Sequence, residues 1–423
     1  MGVLFYELTE DQYMSNKHCV IIGGSHAAVQ LATSLKQNDW QGKISIISAE
    51  ASLPYHSPPL SKAYLNNSVP LEKILLKPAK FYEKHNINLM LNTKVTDIDR
   101  AKKEVKLDNG DIVPYSKLAI TTGAKVRKID IPGCSLNGVY YLRTLEDVEK
   151  IKGNINAGKS AVIIGGGYIG LETASSLTKA GVHVTLLEAM PRILQRVTTE
   201  QISNFYTRIH SEEGVNIVVS ASVKHFEGQE HIERVVCENG DVFNADMVII
   251  GVGVIPETSL AEQAQLNTNN GIIVDEYART NDHDIVAAGD CTLHVNPIYN
   301  KEIRLESVQN ANDQARVAAN TLCGKLEPYH ALPWFWSDQY DIKLQIAGLS
   351  HGYDQVIIRG KTISGRSFAA FYFSEGKLIA VDAINCPKEF MHVKRALSLG
   401  KTIGTEHIAD ESMEIKDILF PAH

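Results

Sequence analysis

Two stretches of the chain carry nearly the same order of apolar and polar positions. "HCVIIGGSHAAVQLATSL", from His18 to Leu35, and "SAVIIGGGYIGLETASSL", from Ser160 to Leu177, each open with a β-branched run, turn through glycines, and continue in small residues with helical spacing. Short apolar runs bounded by turn residues read as buried strands, so each stretch predicts strand, tight turn and helix. Further strand-like runs occur at "ISIISAE", "LAITTGA", "HVTLLEA" and "ADMVIIGVG". Strands alternating with helices predict parallel sheets with crossover helices, an α/β fold. The copies stand about 140 residues apart, a duplication of whole domains rather than a solenoid, whose period is roughly 20–50 residues.

The pattern changes near residue 330. "YHALPWFWSDQYDIKLQIAG" holds two of the three tryptophans and leads into strand-like "QVIIRG", "SFAAFYF" and "KLIAVDAI", then a helical segment around residues 390–399. This predicts a separate C-terminal α+β domain. At 423 residues the chain exceeds what one hydrophobic core organises, in keeping with two or three domains.

Charge and cysteine usage narrow the chemistry. A formal charge of -7, from 42 basic and 49 acidic residues, gives no general attraction to polyanions and disfavours nucleic-acid binding. No apolar run is long enough to span a bilayer, and "MGVLFYELTEDQYMSN" carries acids where a signal peptide needs positive charge, so a cytoplasmic protein is expected. The six cysteines are dispersed without a C-x-x-C pair, which leaves a local dithiol or zinc ribbon unsupported; no metal is expected.

The glycine turns point to nucleotides. In the second copy Gly165, Gly167 and Gly170 complete G-x-G-x-x-G directly after a strand. The first glycine permits the turn, the second lets backbone amides approach a pyrophosphate, and the third lets the helix pack on the strand. Glu188 follows 18 residues beyond Gly170, where a carboxylate accepts from a ribose 2′-OH and repels a 2′-phosphate, favouring NADH. The first copy reads Gly23, Ser25 and Ala28, with Glu50 located 27 residues after Gly23. Alanine is tolerated at the third position; serine at the second narrows the approach to phosphate, leaving a dinucleotide site and a structural junction both open.

"LPYHSPPLSKAYL" is not a pattern that periodicity explains. Together with "AITTGAKVRKIDIPG", "YLRTLEDVEKIK", "GGGYIGLETA", "GVGVIPET", "AAGDC", "ESVQNANDQAR" and "PWFWSDQYDIKLQIAGL", it closely resembles the FAD-dependent NADH:ferredoxin and rubredoxin reductases that feed bacterial oxygenases. The resemblance runs in order from about residue 17 to at least residue 350. It implies a glutathione-reductase-like architecture of two Rossmann-like dinucleotide-binding domains: residues 17–122 with 254–329 for FAD, 123–253 for NADH, and 330–423 as the C-terminal α+β domain. Residues 1–16 precede the usual family start and read as an extension.

The same resemblance assigns site residues. For FAD they are Gly23, Ser25, His26, Ala27, Ala28, Glu50, Lys62, Thr122, Gly123, Arg127, Asp290, Val308 and Trp336; for the nicotinamide nucleotide they are Gly165, Gly167, Tyr168, Ile169, Gly170, Glu188, Arg192 and Gly253. Lys62 and Glu172 correspond to a lysine and a carboxylate placed near the flavin N5 edge, and Trp336 to an aromatic beside the isoalloxazine, so these three are the expected catalytic residues. The implied activity takes hydride from NADH to FAD and passes electrons singly to a small [2Fe–2S] ferredoxin, or to rubredoxin as the alternative acceptor. A disulfide reductase would need a dithiol that the dispersed cysteines do not offer, and a relative of apoptosis-inducing factor would add a binding role with no targeting or basic segment to support it.

Overall fold

The computed structural model describes residues 17–421, so the expected N-terminal extension lies outside the described residues. The described chain forms two compact units: residues 17–56, 72–125 and 256–331 make up the first, and residues 57–71, 126–255 and 332–421 the second.

Each glycine repeat builds the same sheet. In the first unit five parallel strands stand in the order Ile285–Ala287, Lys117–Ile120, His18–Ile22, Lys43–Ile47, Ile87–Met90. In the second the order is Val139–Tyr141, Met247–Ile250, Ser160–Ile164, His183–Glu188, Asn216–Val219, again all parallel. The strand preceding the glycines lies in the centre of both, and its last four residues are buried in each case. That double-sided burial is why "CVII" and "AVII" are continuously apolar rather than alternating. The edge strands differ in origin: Val139–Tyr141 precedes its repeat, whereas Ile285–Ala287 arrives much later in the chain.

Helices cover one face of the first sheet. Ile21, Leu31, Leu35, Ala315 and Ala319 form one cluster with His26–Gln37 and Val308–Leu322. Val20, Ile22, Val105 and Leu107 form the other, against an antiparallel sheet of Val95–Asp99, Glu104–Leu107 and Ile112–Pro114. The second unit repeats this arrangement with Val223–Glu227, Arg234–Cys237 and Val242–Asn244, packed through Val162, Ile164 and Val235. These small sheets were not visible in the strand-like runs, because their strands are short and half exposed.

The C-terminal region is a five-stranded antiparallel sheet in the order Trp334–Gln339, Ile342–Gly348, Lys377–Ile384, Phe368–Ser374, Gln355–Gly360. Phe368, Phe371, Tyr372 and Phe373 are fully buried there. The expected terminal helix is Pro387–Ser398, begun earlier than its apolar pattern because Pro387 fixes the first-turn φ. Residues 57–71, assigned from sequence with the flavin half, pack in the second unit: Ser176 Oγ donates to Ser61 O at 2.8 Å and Tyr64 OH to Glu149 Oε1 at 2.6 Å.

The second repeat depends on close approach at Gly170, where a Cβ would lie 2.1 Å from Gly165 O. Gly167, at φ -82°, has nothing within 4 Å of its own Cβ position. Gly170→Ala is therefore expected to push the helix Tyr168–Lys179 off its strand and lower the melting temperature by several degrees, while Gly167→Ala leaves it unchanged. Thermal melts of the two variants, followed by circular dichroism, check the contrast.

Candidate functional site

In the first unit, the strands His18–Ile22, Lys117–Ile120 and Ile285–Ala287 deliver their C-terminal ends to one place, where open α/β sheets bind ligands. Gly23 turns there at φ +115°, and a Cβ would lie 2.2 Å from Thr121 O. The Gly289–Asp290 turn arrives beside it: a Cβ at Gly289 would meet Ala27 Cβ at 3.4 Å and Ala311 Cβ at 3.8 Å, and the Gly289 N–H donates to Gln314 Oε1 at 2.9 Å. Thr122 Oγ1 donates to Glu257 O at 2.7 Å and Gly123 O accepts from Glu257 N, which fixes the neighbouring loop. Val308 opens the helix Val308–Leu322, capped by Ser307. Gly23, Ala27, Ala28, Thr122, Gly123 and Asp290 thus gather at one sheet end.

Glu50 follows the next strand and accepts from Tyr55 OH at 2.5 Å. His26 is buried at the start of the helix His26–Gln37 and faces His56, with Nε2 and Nδ1 separated by 3.3 Å; burial lowers the His56 pKa, with Lys77 adding to the effect. Ser25 is exposed, and its hydroxyl approaches His26 Nδ1 at 3.4 Å instead of capping the helix.

The second unit presents the matching turn. Gly165 has φ +110°, and a Cβ there would meet Gly251 O at 2.4 Å. Glu188 ends the adjacent strand, where its two carboxylate oxygens accept from Gly166 N at 2.7 Å and Met190 N at 2.8 Å. Ile169 is exposed beside the turn, while the Tyr168 ring packs on Phe335 with centroids 5.0 Å apart. Gly253 O accepts from Arg127 N at 2.9 Å, bringing together residues assigned to different cofactors. The Arg192 guanidinium donates to Thr199 O, Gln195 O and Ser203 Oγ, the last at 2.6 Å, and so braces its own loop.

Neither cap residue, Ser25 nor Gly167, bonds its helix through a side chain. First-turn amides at the end of a parallel sheet are the donors that a dinucleotide pyrophosphate takes. The donor set therefore fits two dinucleotides, one in each unit.

Lys62 and Glu172 form an ion pair at 2.6 Å within the second unit. Glu172 is buried, and it also accepts from Ser61 Oγ and Ser337 Oγ, each at 2.6 Å. Neither serine is among the site residues expected from the sequence. Ser61 was legible as the neighbour of Lys62 in "PPLSK"; Ser337 was signalled only by its alternation with exposed Asp338 in "WFWSDQ". Trp336 occupies the alternate face of the same strand, half-buried, with its ring 5.5 Å from that of Trp334. Trp334 in turn lies under Lys394 Nζ and against Phe390.

A second buried carboxylate stands behind the nucleotide loop. Asp382 accepts from Tyr372 OH at 2.5 Å and Thr198 Oγ1 at 2.9 Å, and burial pushes its pKa up to about 6.

Comparison with known proteins matches residues 17–315 to the pyridine nucleotide-disulphide oxidoreductase family and residues 334–419 to the reductase C-terminal family. Putidaredoxin reductase of Pseudomonas putida is 40% identical over 96% of this chain and 98% of its own. Rubredoxin-NAD(+) reductase of Pseudomonas putida is 38% identical over 87% of this chain and 96% of its own. Among solved structures, the covalent putidaredoxin reductase–putidaredoxin complex superposes with a TM-score of 0.93 at 40% identity, covering 96% of this chain and 98% of that one.

The Asp382 site carries a pH signature. A carboxyl whose pKa is higher folded than unfolded stabilises fully below about pH 4 and loses that contribution as pH rises through about 6. The loss is roughly 3 kcal/mol. Asp382→Asn retains an acceptor for both hydroxyls but does not ionise, so its stability relative to the unmodified protein is expected to rise between pH 4 and 6 and then level off. Denaturant unfolding of both proteins across that range measures the difference.

Proposed function

Because the chain belongs to the pyridine nucleotide-disulphide oxidoreductase family, we propose that it is an NADH-dependent flavoprotein reductase that passes electrons through FAD, one at a time, to a small [2Fe–2S] ferredoxin serving a bacterial oxygenase, a Rieske dioxygenase or a cytochrome P450. The observation that carries this reading is the pair of glycine turns, each leading from a central parallel strand straight into a helix at the end of its own sheet. Bound FAD supplies the conversion of a two-electron donation into single-electron steps. The protein binds, orients and sets charge around it.

In this reading the residues divide by task. Gly23, Ser25 and the first turn of the helix His26–Gln37 hold the FAD pyrophosphate, with Glu50 toward its ribose and Asp290 toward its ribityl chain. Lys62, fixed by Glu172, brings a positive charge to the flavin edge. Gly165, Gly167 and Gly253 give the NADH backbone room, and Glu188 receives the ribose hydroxyls while repelling a 2′-phosphate. Gly166 and Met190 already point the Glu188 carboxylate by donating to it. Arg192 acts through its loop. The division into 17–122 with 254–329 for FAD, 123–253 for NADH and 330–423 as a third domain goes with these roles. A cytoplasmic location goes with the reading too; no helix among the described residues is long and apolar enough to cross a membrane.

Rubredoxin is the second acceptor to consider, on the strength of the rubredoxin-NAD(+) reductase relative. The disulfide-reductase alternative is disfavoured by the thiols. All six cysteines are free, and burial raises the pKa of Cys19 and takes Cys291 up to about 11, the reverse of an activated thiol.

The purified protein is expected to carry one FAD per chain and to reduce cytochrome c with NADH only when a [2Fe–2S] ferredoxin is added. Rubredoxin in place of ferredoxin tests the second acceptor. Fast reduction of a small disulfide with no iron protein present refutes the reading. Glu188→Ala is expected to shift the ratio of NADH to NADPH efficiency at least tenfold toward NADPH, since hydrogen bonds to a charged acceptor contribute roughly 1.5–3 kcal/mol. Steady-state kcat/KM values with both nucleotides give the ratio.

A further inference from the structure

Glu172 stands at the end of a longer line of hydrogen bonds than its own contacts reveal. Ser337 Oγ donates to Glu172 Oε1 at 2.6 Å, and Gln339 Nε2 donates to Ser337 Oγ at 3.1 Å. Gln339 Oε1 meets His210 Nε2 at 2.8 Å, and His210 Nδ1 meets Tyr340 OH at 3.2 Å. Ser337, Gln339 and His210 are all buried, and the backbone N–H of Tyr340 is tied to Ser175 Oγ on the helix that carries Glu172.

The carboxylate selects the direction of the whole line. Ser337 has one hydroxyl hydrogen, and a buried carboxylate oxygen facing it can only accept. That hydrogen therefore goes to Glu172, and Ser337 must receive one from Gln339. The amide nitrogen of Gln339 consequently faces Ser337, its oxygen faces His210, and His210 carries its proton on Nε2. Nδ1 is left to accept from Tyr340 OH. Reversing any one bond would set two lone pairs against each other in a dry site, at the cost of an unsatisfied buried group.

We infer that Ser337, Gln339 and His210 are positioning residues: a one-way line of donors that holds the Glu172 carboxylate, and through it Lys62, in the orientation used at the flavin edge. This rests on the reading above that Lys62 and Glu172 serve the flavin. The line orients and does not conduct, because a glutamine amide does not readily pass a proton on. His210 suits a fixed dipole, since burial lowers its pKa to about 4 and keeps the ring neutral. The other titratable groups set around Glu172 are Lys62, Tyr168 and Tyr206; burial raises both phenols well above the usual tyrosine range, and Asp382 stands among the charges that reinforce this.

The test follows the midpoint potential of bound FAD in the holoprotein, alongside the rate of flavin reduction by NADH. Glu172→Gln is expected to shift the potential and to slow flavin reduction about tenfold or more. Ser337→Ala and Gln339→Leu are expected to move both in the same direction, slowing reduction about threefold or more, with KM for NADH held within about twofold. Ser337→Thr, which restores the hydroxyl, returns both to the original values. A potential and rate in Ser337→Ala and Gln339→Leu that coincide with the unmodified protein, while Glu172→Gln still shifts both, overturn the positioning role and leave the site reading intact. A potential and rate indifferent to Glu172→Gln remove Glu172 from the flavin edge, and the positioning role falls with it.

Discussion

A carboxylate shut away from water must be supplied with donors, and Glu172 draws them from two segments distant in the chain. Ser61 and Lys62 come from a short 3-10 turn, Glu172 itself from the helix of the second glycine repeat, and Ser337 from the first strand of the C-terminal sheet. Removing one member of such a set leaves charge or a hydroxyl unsatisfied in a low-dielectric interior, so the three segments are fixed together or not at all. The C-terminal sheet is bound to the helix Tyr168–Lys179 by hydrogen bonds as well as by packing of Tyr168 on Phe335.

The unequal glycine repeats find a physical account in the surroundings of each glycine position. At the second glycine the Cβ direction is open in the later copy, so a serine at the corresponding Ser25 meets no steric objection. The third position is different, because Gly170 faces the Gly165 carbonyl at a distance no Cβ tolerates, whereas Ala28 is accommodated in the first copy. Helix and strand therefore make a closer approach in the second repeat than in the first. A tight turn is conserved where backbone meets backbone, at Gly23 and Gly165, and relaxed where only a ligand would pass.

The sequence by itself determined the parts that local physics controls. Continuous apolar runs read as doubly buried strands, glycines at fixed offsets as turns, and Glu50 and Glu188 as strand-end carboxylates; the parallel sheets and the position of each turn follow from these. The resemblance carried by "PPLSK" and "IGLE" singled out Lys62 and Glu172, and the structure pairs them. What only the tertiary structure decided is how residues far apart in the chain satisfy one another. The short antiparallel sheets escaped notice because three to five half-exposed residues carry no period of their own. The Arg192 guanidinium braces the loop that follows it, through partners that "EAMPR" does not name. Ser337, Gln339 and His210 carry no motif at all, because a hydrogen bond is chosen by what faces it across the core and a linear pattern records only which side of the strand a residue takes.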